Sequence, residues 1–116
     1  MFIRKKTISM DGAEVTIAPL TARQVEEHIL AEAEVISGIE AARGSDPGAV
    51  AAALKKRDQL YRKLVCTGLN NASGDGAFTV DKTYDEDNVL IDRLQREIME
   101  MSGLGFVTRE RPPGET

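Results

Sequence analysis

A mainly α domain of the α+β kind is what this sequence predicts: an N-terminal β-hairpin packed on about three helices, in a single unit. Three observations carry that expectation. Asp11-Gly12 sits between two short runs of alternating apolar and polar residues, the strongest short signal of a tight hairpin. Three later stretches place apolar residues at helical spacing, each opened by a residue suited to cap a helix: Thr21, Asp46 and Thr83. The length, 116 residues, is that of one compact domain.

The hairpin is expected over residues 2–18. A two-residue loop at Asp11-Gly12 pairs Ile8 with Val15 and Lys6 with Ile17. That register puts Ile8, Val15 and Ile17 on one face and Thr7, Glu14 and Thr16 on the other. Pro19 ends the second strand, because proline cannot donate to a ladder. Thr21 with Gln24 three residues on forms a capping box, and a helix over about 22–38 follows, with an apolar stripe of Ala22, Val25, Ile29, Ala33 and Ile36. Asp46 as cap and Pro47 at the first helical position open a second helix over about 48–69, with Val50, Leu54, Tyr61, Leu64, Val65 and Gly68 at helical spacing. Residues 71–78, rich in small and polar side chains, read as the most flexible internal stretch. Thr83 with Glu86 predicts a third helix over about 84–102, its stripe Leu90, Leu94, Ile98 and Met101, closed by Gly103. The domain then covers 1–107, and the charged, proline-bearing residues 108–116 form a disordered tail.

Composition bounds the function. Fifteen Lys and Arg against nineteen Asp and Glu give a formal charge of −4, the wrong sign for general nucleic-acid binding. Trp is absent and aromatics are 4%, so base-stacking platforms are not expected. Cys66 is the lone cysteine, which excludes an intrachain disulfide. The opening MFIRKKTISM lacks the apolar core of a signal peptide, and no stretch is long enough to span a bilayer. A cytoplasmic protein without membrane or nucleic-acid partners is expected.

Candidate chemistry is sparse. His28, the only histidine, stands four residues from Glu32 on one helix face, but two ligands do not make a metal site; a solvated or partner-facing imidazole is the expectation. Cys66 lies in an apolar stretch and reads as a packed thiol. No nucleophile has a base beside it and no phosphate-binding loop is present, so catalytic residues, cofactors and metals are all expected to be none. Two groups remain as protein-binding candidates. Lys55, Lys56, Arg62 and Lys63, with Arg57, form a basic band on the second helix, suited to docking an acidic helix and extendable by Arg4, Lys5 and Lys6. The acids Glu26, Glu27, Glu32 and Glu34 of the first helix could meet this band within the chain or across a subunit interface. Leu104, Phe106 and Val107 add apolar surface before the tail, a second adaptable docking corner. The alternative use of the basic helix, over 48–69, is that of a small DNA-binding or regulatory protein.

The segment Val15-Thr16-Ile17-Ala18-Pro19-Leu20-Thr21-Ala22-Arg23-Gln24, followed by Glu27-His28, resembles the opening of lambda-type phage tail assembly chaperones, the minor tail assembly protein family of siphophages and prophages. Ile98-Met99-Glu100-Met101-Ser102-Gly103-Leu104 is similar to that family's closing helix with its Ser-Gly corner. Pro19 departs from a usually polar position, and residues 71–82 show no family pattern. The resemblance implies a non-virion assembly factor in the host bacterial cytoplasm. It would bind the tape measure protein, keep its long apolar helices soluble and help recruit tail tube subunits, with a longer frameshifted product in many members. Self-association through helix faces and hairpin edges, giving a homo-oligomer, is expected with this role.

Overall fold

The computed structural model describes residues 4–104; the start of the expected hairpin, Phe106, Val107 and the expected tail at 108–116 lie outside the described residues. Two antiparallel strands, β1 (Lys6–Met10) and β2 (Ala13–Ile17), pair Lys6 with Ile17 and Ile8 with Val15, the register set by a two-residue loop. Asp11 at φ +51° and Gly12 at φ +84° make that loop, the left-handed pair a type I′ turn requires. Four helices follow: α1 (Ala22–Ala42), α2 (Pro47–Ser73), the one-turn α3 (Val80–Thr83) and α4 (Asn88–Met101).

The caps follow side-chain chemistry. Thr21 Oγ1 accepts from the Gln24 amide while the Gln24 side chain accepts from the Thr21 amide, so the capping box is complete. Asp46 accepts from the Ala49 amide with Pro47 in the first turn. Both helices outrun expectation, α1 by four residues and α2 to Ser73, where Gly74 turns left-handed. The expected helix over 84–102 is corrected at its start. Thr83 ends α3 instead of capping a longer helix, its hydroxyl donating to the Val80 carbonyl, and Asp87 caps α4 through the Val89 amide. The physical reason is a competing acceptor: Asp87 stands nearer the apolar run and takes the Val89 amide, while the Thr83 amide that Glu86 was expected to answer donates to the Thr79 carbonyl within α3.

The core gathers the hairpin's apolar face (Ile8, Ile17), the C-terminal half of α2 (Leu64, Val65, Leu69), one side of α4 (Ile91, Leu94, Ile98), and Leu20 and Leu104. Ile17, Val65 and Ile98 are fully buried. β2 leaves the sheet against Gly68, where the Ala18 amide donates to the Gly68 carbonyl at 3.1 Å. A Cβ on Gly68 would run into Ile98 and stand 3.1 Å from the Ala18 carbonyl oxygen, so glycine is what lets strand, α2 and α4 meet. The two ends of the described chain are tied together. Arg4 donates to the Met101 carbonyl at 2.6 Å, Lys6 pairs with Glu97 at 2.7 Å, and the Leu20 amide donates to Ser102 Oγ at 2.9 Å.

α1 stands at the edge of this core, where half-buried Val25 is its apolar side chain packed on the cluster among the described residues. It runs back along α2 as an antiparallel helical hairpin joined by a short loop at residues 43–46. The radius of gyration is 15.5 Å, where a compact chain of this size has roughly 13 Å.

Candidate protein-interaction site

The α1–α2 hairpin projects from the core, and its two faces differ in chemistry. The expected inward stripe of α1 is corrected. Ile29 is 48% exposed and Ile36 53% exposed, while His28 and Ala42 are buried and Gln24, Ala31, Val35 and Ile39 half-buried. The helix is rotated by about a third of a turn from the expected position because the facing stretch of α2 is built from Ala49, Ala52 and Ala53. Small residues pack closest there, and the isoleucines are left outside. Leu54 of α2, 40% exposed, follows the same outward course as half-buried Val50 and Tyr61.

His28 is corrected as well. It is buried between the helices at 6% exposure, with Nε2 unpaired, and its ring lies 5.8 Å from that of Tyr61. Burial pushes the imidazole below its usual range, with the Glu32 carboxylate opposing the shift. Glu32 accepts the Tyr61 hydroxyl, which burial first and this bond second push up to about 12. The acid spaced for a metal is thus committed to a phenol. Among the described residues no group of three or more potential ligands is assembled.

The opposite face carries a groove of about 830 Å³ between the helices, its floor Ala31, Val35, Gly38, Ala49 and Ala53. Glu34 stands on the α1 side, Lys56 and Lys63 on the α2 side. A small cavity adjoins it, lined by Glu27, His28 and Lys63 among others. Lys55, Lys56 and Lys63 are exposed, as the basic band predicts. Arg62 is not part of that surface. It pairs with Asp58 at 2.9 Å, donates to the Thr83 carbonyl at 3.1 Å and lies 4.0 Å over the Tyr84 ring, so it fastens the segment after α2 onto the helix. This bracket was missed in the sequence; an arginine four residues after an aspartate was its only trace.

The remaining candidates are placed as follows. Leu104 is 6% exposed and belongs to the core, not to a surface corner; Phe106 and Val107 lie outside the described residues. Cys66 is buried, and that burial pushes its thiol up, away from thiolate chemistry. Residues 74–79 are bracketed by Asn70, whose side chain accepts from the Phe78 amide and donates to the Phe78 carbonyl, both at 3.0 Å. No helix among the described residues is long and apolar enough to cross a membrane. Compared with known protein families, with characterised proteins and with solved structures, the chain shows no significant match to any.

Proposed function

We propose that this protein is a phage tail assembly chaperone, a binding protein without chemistry of its own, that holds the tape measure protein during tail morphogenesis in the host cytoplasm and helps bring tail tube subunits to it. The observation that carries this reading is the projecting α1–α2 hairpin, which holds Ile29, Ile36 and Leu54 40–53% exposed on a helical scaffold. Large apolar groups presented this way suit the apolar stripe of a long helical client, which they would cover and keep from aggregating. The resemblance of residues 15–28 and 98–104 to tail assembly chaperones supplies the identity of the client. The DNA-binding alternative loses support from the groove, where Glu34 lines the side facing the lysines, and from Arg62, which is engaged within the chain.

The test is co-expression with the tape measure protein of the same phage. The chain should keep that protein soluble and co-purify with it, and Ile36→Lys with Leu54→Lys should abolish both effects while the variant stays folded. A tape measure protein equally soluble with and without the chain would reject the reading, as would a salt-sensitive shift of duplex DNA in its place.

A further inference from the structure

We infer that the charged-wall groove between α1 and α2 is the contact surface of a homodimer, in which a second copy of this chain lays its own α1–α2 face against the first about a two-fold axis parallel to the helices. The inference does not depend on the tape measure reading.

The argument begins with two matching ridges. Glu27, Leu30 and Glu34 follow one another at i, i+3 and i+7 along α1; Lys56, Gln59 and Lys63 do the same along α2. All six are exposed, and Leu30, at 68%, is the most exposed of the large apolar side chains. The antiparallel register, held by the Gln24–Asn71 and Glu32–Tyr61 hydrogen bonds, sets Glu34 between the heights of Lys56 and Lys63 and Glu27 about one helical turn from Lys63. Yet none of these four charges forms an ion pair among the described residues. The helices hold an acidic wall and a basic wall along overlapping stretches, with the groove keeping them apart.

Symmetry decides the occupant. A two-fold axis parallel to the helices, in the plane of the contact, exchanges left and right but leaves height unchanged. It therefore stacks the Glu27–Leu30–Glu34 ridge of each copy on the Lys63–Gln59–Lys56 ridge of the other. Glu34 then lies within side-chain reach of Lys56 and Lys63 of the other copy, and Glu27 within reach of Lys63, each contact formed twice. A two-fold axis across the helices would stack acid on acid and base on base, so the charges select one arrangement. The small floor, with Gly38, Ala49 and Ala53, admits the close approach of facing helices, and Leu30 is the apolar knob each copy offers to the other. The product is an antiparallel four-helix bundle built from two helical hairpins.

The test uses the full chain and two charge-reversed variants, Lys56→Glu/Lys63→Glu and Glu27→Lys/Glu34→Lys, in sedimentation analysis at low salt. All four positions are exposed, and circular dichroism checks that each variant keeps its fold. The unmodified chain should dimerise. Each variant alone presents like charge to like charge and should weaken the dimer by roughly tenfold or more. An equimolar mixture of the two should restore a dimer containing one of each, because an all-acidic face then meets an all-basic one. A chain that stays monomeric at about 100 μM would overturn the proposal and leave the groove to some other helix. A dimer indifferent to either reversal would overturn it too, since its contact would lie elsewhere. Two folded, monomeric variants that fail to pair on mixing would do the same.

Discussion

His28 shows how a single side chain couples burial to pH. Its folded-state pKa lies below the ordinary imidazole value, so the unfolded chain takes up a proton that the native chain resists. Stability should therefore be complete above the ordinary histidine range and fall as the pH drops through it, with Glu32 moderating the loss. His28→Leu removes both the titration and the unpaired Nε2. Between about pH 7.5 and about pH 5.5, the melting temperature of the unmodified chain should fall more than that of the variant; equal slopes would show that the imidazole is hydrated in solution. At Gly12 the issue is backbone geometry. With φ at +84°, Gly12→Val should cost about 1 kcal/mol or more in denaturant unfolding, although nothing stands within 4 Å of the added Cβ. An unchanged midpoint would mean that the loop is not the tight turn described.

The elements show which parts of the fold were legible beforehand. Turns and caps were: Asp11-Gly12, the Thr21/Gln24 box, Asp46-Pro47 and Gly103 act through their own neighbours, so local sequence suffices. The rotation of α1 was not legible, because periodicity assumes that the largest apolar groups turn inward. Against a partner rich in alanine the smallest ones do, and the proposed interaction site consists of the groups left out. The division between α3 and α4 was hidden too, since Thr83 and Asp87 are both sound caps; Asp87 takes the Val89 amide while Arg62 of α2 holds Thr83 and Tyr84. That bracket predicts that Arg62→Ala loosens residues 79–87, lowers global stability by about 1–2 kcal/mol and accelerates amide exchange there first. Gly68→Ala acts on a different joint. It should cost roughly 1–3 kcal/mol, because Ile98 and the end of β2 must both give way; a cost near zero would mean that the helices separate more readily than their burial implies.

For the molecule as a whole, the division between a core and a projecting helix pair separates stability from the proposed binding. The core holds Ile8, Ile17, Val65 and Ile98, while the hairpin presents Ile29, Ile36 and Leu54 to solvent. Ile36→Lys with Leu54→Lys should leave the unfolding free energy within about 0.5 kcal/mol and yet remove client binding. A large loss of stability would instead place those side chains in an intramolecular contact.

The ties between the chain's ends have a consequence for its birth on the ribosome. Arg4 finds its acceptor 97 residues later, at Met101, and the core that holds Ile8 and Ile17 is complete only when Ile91, Leu94 and Ile98 arrive. At the usual pace of translation the N-terminal strands emerge roughly 5–20 s before the helix that completes them. The α1–α2 pair, made of near neighbours, can close during that interval. The strands can dock on α2 as well, but the side of the core that α4 closes cannot be covered, so a nascent chain stalled before Asn88 leaves the apolar residues there open to other chains.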